Sequence, residues 1–140
     1  MKLLPIGALS SETGVKVPTI RYYEEIGLLP APDRAENNRR TYGSDTVRRL
    51  RFIRHARELG FEVEAIRQLL SLGNAPHQPC EGADRIARAH LADIEFKIAR
   101  LTALRTEVQR MVAQCAHGEV KDCRVIEVLA DHSLCIAEVH

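Results

Sequence analysis

Between Asp84 and Gln114 the chain runs for 31 residues without a glycine or proline, and this stretch constrains the fold more than any other. Ala87, Leu91, Ile94, Ile98, Leu101, Leu104, Val108, Met111 and Val112 recur there at steps of three and four, the period of one helix face. The stripe lasts about four heptads, and about 30 helical residues span roughly 45 Å. So long a helix cannot bury its stripe on the small remainder of a 140-residue chain. A second helix, parallel or antiparallel, is the natural cover, and the pattern points to a dimer. The alternative is a helix folded back on its own domain. With 45% hydrophobic residues, only 4% aromatic and no Trp, the core must come from Leu, Ile, Val and Ala, which suits packed helices.

Four segments follow. Residues 1–72 read as a compact set of short helices, and residues 73–83 as a break. Residues 84–114 are the long helix, and residues 115–140 a cysteine-bearing loop, short helix and tail. The break holds Gly73, Pro76, Pro79, Cys80 and Gly82, and its prolines exclude a continuous helix. The chain is expected to be mainly all-α.

In the first segment, residues 6–13 read as a short helix ended by Gly14, and residues 18–26 as a second one ended by Gly27. Pro18 suits the first helical position and Gly27 a left-handed close. Two helices around a tight glycine turn make a helix-turn-helix candidate, a pattern that many helical hairpins share. From Leu28 to Tyr42, Pro30, Pro32 and the pair Asn37-Asn38 predict an extended arm with a turn, which could form a small β-hairpin. Ser44 is expected to cap a third helix, with Asp45 near its positive end. Val47, Leu50, Ile53 and either Ala56 or Leu59 form its inward stripe. Gly60 breaks it, and residues 62–72 read as a fourth helix with Val63, Ile66, Leu69 and Leu70 inward.

Charge is unevenly spread. Residues 1–70 hold 12 Lys and Arg against 9 Asp and Glu, and residues 71–140 hold 8 against 10. Seven arginines fall within Arg39 to Arg57: Arg39, Arg40, Arg48, Arg49, Arg51, Arg54 and Arg57. Such a run is either a solvated face or a phosphate-binding surface. The guanidinium fork matches phosphate oxygens. No apolar run approaches the ~18 residues of a membrane span, and the first six residues are too short for a secretory signal. A cytoplasmic protein is expected, in which four cysteines stay reduced and open to metal. There is no nucleophile–base pairing, phosphate-binding glycine loop or H-E-x-x-H pattern, so no enzyme is expected.

Ile6-Gly7-Ala8-Leu9, Thr19-Ile20-Arg21-Tyr22-Tyr23-Glu24, Gly27-Leu28-Leu29-Pro30, Arg40-Thr41-Tyr42 and Arg51-Phe52-Ile53-Arg54 occur in order and at characteristic spacing. On these stretches the sequence resembles the MerR family of bacterial transcription regulators over nearly its whole length. The resemblance implies a winged helix-turn-helix, a long antiparallel dimerisation helix and a C-terminal effector site. It implies promoter double-stranded DNA, RNA polymerase at that promoter and a second copy of the chain as partners. Arg21 and Tyr22 match recognition-helix contacts, with Lys16 and Thr19 close enough to join them. Arg40 and Tyr42 match the wing, and Arg54 a phosphate contact. Where the family usually has Gly-Tyr before the wing arginine, this chain has Asn38-Arg39. Asn tolerates a left-handed turn, and Arg39 is a candidate phosphate contact in place of the aromatic. Family members of this kind repress without metal. With metal they activate by bending and untwisting a promoter whose two polymerase elements lie too far apart, and phosphate contacts supply the energy.

The resemblance also gives the cysteines a geometry. Cys80 and Cys115 lie 35 positions apart, on either side of the long helix. That is roughly 50 Å of helix within one chain. In an antiparallel dimer the start of one helix lies beside the end of the other, so Cys80 of the partner subunit approaches Cys115 and Cys123. A thiol at the start of the helix expected at residues 124–131 gains thiolate character. The copper and silver branch of the family uses two cysteines for a monovalent ion. Three thiolates leave less net charge around a divalent ion, which points to zinc, cadmium, lead or mercury. Trigonal sulfur suits lead or mercury, whereas tetrahedral zinc or cadmium needs a fourth ligand. His117 is the nearest candidate for it, with His77 and water as alternatives. His132, Cys135 and His140 could form a second, weaker site, or a plain tail. An iron–sulfur redox sensor of this family would need four clustered cysteines, and a drug-binding member a larger C-terminal domain. A nucleoid-type structural binder would need no cysteine trio.

Overall fold

The computed structural model describes residues 3–115 and 117–135. Among these described residues, nine α-helices and β-strands follow in order. They are β1 (Leu4–Pro5), α1 (Ile6–Thr13), α2 (Val17–Glu25), β2 (Asp33–Arg34), β3 (Arg40–Tyr42), α3 (Ser44–Glu58), α4 (Val63–Gly73), α5 (Glu81–Ala113) and α6 (Arg124–Ala130). Contacts divide the chain into two compact units, Met1–Ile86 and Ala87–His140.

The first unit is a helix-turn-helix with a wing. Its core comprises Leu9 of α1, Val15 of the turn that follows it, Ile20 and Tyr23 of α2, Leu28 and Leu29 of the next turn, Tyr42 of β3, Val47, Leu50, Ile53 and Ala56 of α3, and Ile66 and Leu70 of α4. Each fully buried aliphatic side chain contributes roughly 1.5–3 kcal/mol. The stripe expected in the third helix is therefore present, and of the two alternatives Ala56 is the buried one. Leu59 is exposed at the helix end. Val63 and Leu69 of α4 are only half-buried.

The glycines close the helices as the sequence suggests. Gly14, Gly27 and Gly60 all have left-handed φ, at 75°, 77° and 88°. Two local expectations shift by one position. Pro18 occupies the second helical position of α2, because Lys16 is the N-cap. Gly43 is the N-cap of α3, so Ser44 is its first helical residue and makes no side-chain cap. The arm does form a hairpin: β2 and β3 pair antiparallel with Arg34 opposite Arg40. Asn38 takes a left-handed φ of 64° in its turn. The sequence did not suggest that β1 would pair with the other edge of β3, placing Leu4 opposite Tyr42.

The long helix starts earlier than expected, at Glu81 rather than Asp84. Gly82 thus lies in its first turn. A β-carbon there would come within 3.2 Å of the Leu72 side chain, so the glycine permits close approach to the end of α4.

In the second unit α5 continues to Ala113. A 3-10 turn at Val120–Asp122, α6 and a 3-10 turn at His132–Leu134 follow. Val128 of α6 is buried. With Leu129 it faces Leu104, Glu107, Val108 and Met111 around a hollow of about 310 Å³, which His132 and Cys135 also line. Arg110 donates to the Leu134 carbonyl at 2.9 Å and ties this tail to α5. Arg124 donates to Oε1 of Gln114 at 2.7 Å and ties α6 to the end of α5. Leu91, Ile98, Leu101, Val108 and Val112 are each more than half exposed in the single chain.

Candidate nucleic-acid interface and thiol pair

The side chains expected to meet DNA all lie in the first unit. Arg21 and Tyr22 stand exposed on α2, while Ile20 and Tyr23 on either side of them are buried. Burial of that pair fixes the helix and aims the other two outward. Lys16, just before α2, is exposed, and Thr19 is half-buried. Arg21, Arg34, Arg39 and Arg40 line one shallow hollow of about 590 Å³ beside Pro5, Ile6 and Gly7. Arg34 was not singled out from the sequence. Only the hairpin register, which sets it opposite Arg40, brings it there. Its guanidinium also donates to the Asn38 carbonyl at 3.0 Å and braces the wing turn. Four arginines around one hollow form a surface suited to phosphate.

Tyr42 and Arg54 have partners within the fold. Tyr42 is 2% exposed. Its hydroxyl donates to Oε1 of Glu24 on α2. Burial raises its pKa from 10 to about 12, and the Glu24 carboxylate adds to the effect. As placed, Tyr42 is an internal strut of the wing. Arg54 donates to the Thr13 carbonyl at 2.6 Å, at the end of α1, and pairs with Glu58 at 3.0 Å.

The arginine density also has an internal account that the sequence did not suggest. Arg49 donates to the Leu28 carbonyl at 2.8 Å, and Arg67 of α4 to the Ile26 carbonyl at 2.8 Å. Arg57 donates to the Phe61 carbonyl at 2.9 Å. These guanidiniums satisfy carbonyls left open where α1, α2 and α3 end, where positive charge also complements the helix dipole. Arg48 pairs with Asp45 one turn away. Arg39 and Arg40 lie on the wing, where Arg40 pairs with Glu24 of α2 at 3.4 Å.

The thiols divide between the two units. Cys115 and Cys123 belong to the second, where Cys115 is near enough to influence the Cys123 thiol. Cys123 is the N-cap of α6. The N–H groups of Ile126 and then Val125 hold its thiol below the ordinary value, Cys115 lowers it further, and partial desolvation opposes them. His117 is exposed and takes a left-handed φ of 55°, so the loop turns on it. Cys80 and His77 are exposed in the first unit. All four cysteines are free thiols. Among the described residues, no group of three or more His, Cys, Asp or Glu is placed to hold a metal ion. Of the tail candidates, His132 and Cys135 line the same hollow, and His140 lies outside the described residues. Among the described residues no helix is long and apolar enough to cross a membrane.

Residues 4–72 match the model of MerR HTH family regulatory proteins, and residues 47–111 that of the MerR DNA-binding region. Heavy metal-dependent transcription regulator 2 of Rhizobium meliloti (strain 1021) is 38% identical over 128 residues, covering 91% of this chain and 87% of that protein. The HTH-type transcriptional regulator ZntR of Escherichia coli (strain K12) is also 38% identical over 128 residues, covering 89% of this chain and 90% of that one. Among solved structures, the transcription regulator PbrR691 from Ralstonia metallidurans CH34, in complex with lead(II), superposes with a TM-score of 0.79. It is 34% identical, and the match covers 90% of this chain and 98% of that one. A winged helix-turn-helix carrying this recognition helix, joined to a long helix and matched along nearly its whole length, places the chain in the MerR family of helix-turn-helix transcription regulators.

Proposed function

We propose that the chain is a dimeric, metal-responsive transcription regulator. On this reading it represses a metal-resistance or efflux promoter without metal and activates it when a divalent ion binds. The observation that carries the sensing role is the Cys115–Cys123 pair, with the Cys123 thiol poised toward thiolate. The names of the relatives support a metal effector, as does the lead(II) held by the structural neighbour. The uncovered apolar stripe of α5 supports pairing with a second copy. In an antiparallel pair, Cys80 of the partner subunit supplies the third sulfur. Three thiolates suit zinc, cadmium, lead or mercury better than a monovalent ion, because they leave less net charge on the site. His117, already at the turn of the loop, is the nearest residue for a fourth bond.

DNA is held by Arg21 and Tyr22 on the recognition helix. Lys16 and Thr19 lie beside them, and Arg34, Arg39 and Arg40 hold the backbone from the wing. Bending and untwisting the duplex costs deformation energy, and phosphate contacts offset it. The metal biases the dimer toward the distorting arrangement, which lets RNA polymerase engage both promoter elements. The chain's own chemistry on this account is binding, not catalysis.

In vitro transcription with zinc, cadmium, lead, mercury and copper added in parallel tests the reading. Activation by one or more of the divalent ions is expected. Activation by copper(I) alone, or by none of the metals, overturns it.

A further inference from the structure

One carboxylate joins the recognition helix to the wing. Glu24 lies one helical turn after Arg21 on α2, and its side chain is only 9% exposed. One oxygen accepts from the Tyr42 hydroxyl. The other faces Nη1 of Arg40 at 3.4 Å. Both partners sit on β3, whose register against β2 in turn places Arg34 opposite Arg40. Arg21, Glu24, Arg34 and Arg40 meet again around a second surface hollow of about 600 Å³. The two DNA-facing elements thus share one hinge centred on a carboxylate; Glu25 lines the same hollow, but only Glu24 has both of its oxygens engaged by the wing.

An acidic residue there opposes the attraction of phosphate, so affinity gives no reason for it. Geometry does. Phosphate contacts position a protein on the duplex and base contacts specify sequence, so discrimination needs the two sets at a fixed separation. We infer that Glu24 is a positioning residue for DNA recognition. Through Tyr42 and Arg40 it fixes the wing relative to Arg21 and Tyr22, and so sets sequence discrimination more than gross affinity. This rests on the DNA-binding reading proposed above. The same contact keeps part of the Arg40 charge occupied, which restrains binding to arbitrary sequence.

The test compares wild type, E24A and E24Q on two probes: a palindromic duplex selected from a random pool by the wild-type protein, and a scrambled duplex of equal length. In E24A the ratio of the two affinities is expected to fall by about ten-fold or more, the scale of one lost base contact, while affinity for the scrambled duplex stays level or rises. E24Q keeps an acceptor for Tyr42 and should recover most of the ratio. A purely structural role would lower both affinities by the same factor, through a smaller folded fraction. That result, an unchanged ratio in E24A, or no recovery in E24Q, overturns the proposal. Should E24A not fold, Y42F and E24Q carry the test. Y42F should lower the ratio and E24Q should not, and any other pairing of results overturns it. A wild-type protein that selects no duplex at all removes the DNA-binding reading instead, so the two failures are distinguishable.

Discussion

Arg54 donates to the Thr13 carbonyl at 2.6 Å, and its guanidinium fills the space where a β-carbon on Gly14 would stand. One contact therefore does two things. It satisfies the end of α1, and it occupies the space beside a turn residue whose left-handed φ of 75° already favours glycine. The buried Thr13 hydroxyl reinforces the same turn, donating to the Leu9 carbonyl at 2.8 Å and accepting from the Val15 N–H at 3.3 Å.

Gly14→Ala should be among the most disruptive small changes in the chain. The left-handed conformation disfavours a β-carbon by about 1 kcal/mol, and displacing the Arg54 cap costs about 1 kcal/mol more. Urea unfolding should show a loss of about 2 kcal/mol, with recognition-helix contacts weakened accordingly. A loss below about 0.5 kcal/mol, the range of neutral surface changes, would show that the turn relaxes freely.

Arg54→Ala separates an internal cap from a phosphate contact. If the cap is its whole role, stability falls by about 1 kcal/mol while the salt dependence of operator binding keeps its slope. A slope flatter by about 0.9 for each phosphate lost would return Arg54 to the DNA surface.

Single Ser replacements at Cys80, Cys115 and Cys123 should each abolish metal-induced transcription and leave operator binding intact. Mixing C80S and C115S protomers should restore one working site per mixed dimer, because each chain then supplies what the other lacks. Absence of complementation, read by transcription from mixed and unmixed samples, removes the shared site.

The depressed Cys123 thiol sets a pH dependence. Its thiolate persists to lower pH than that of a free cysteine, whose pKa is about 8.5. Proton competition for metal should therefore begin only as pH falls through that lowered value. Iodoacetamide labelling of metal-free protein, with the Cys123 peptide read by mass spectrometry, should reach half-maximal rate below the pH found for a free cysteine. A midpoint at or above that pH contradicts the placement of the thiol at the N-terminus of α6.

Tyr42 gives the opposite sign. Its folded pKa of about 12 lies above the unfolded value of 10. The stability it contributes is complete below pH 10 and is lost as pH rises toward 12. Alkaline unfolding, followed by tyrosinate absorbance, should track this window. Y42F should remove that part of the pH dependence, and an identical profile for Y42F would assign it elsewhere.

The local elements were legible because they follow from short-range rules. The period of the α5 stripe, the glycines that end α1, α2 and α3, and the hairpin signals around Asn38 each involve residues a few positions apart. Backbone sterics and hydrophobic periodicity fix such features before any long-range contact forms. The cysteine count and spacing were equally plain, whereas Arg21 and Tyr22 were singled out through the family resemblance and their exposure on α2 came from the fold.

Side-chain partners were decided only by packing. The sequence offered phosphate or solvent for the run of arginines after Arg39, whereas the fold sets Arg54 on a carbonyl 41 positions away and Arg49 on one 21 positions away. The sequence presented Tyr42 as a contact, and the fold buries it against Glu24 across 18 positions. Arg34 joins the basic hollow through strand register. A guanidinium or phenol carries the same chemistry wherever it stands in the chain. Which acceptor it meets depends on the tertiary arrangement of helix ends, and no local pattern encodes that distance.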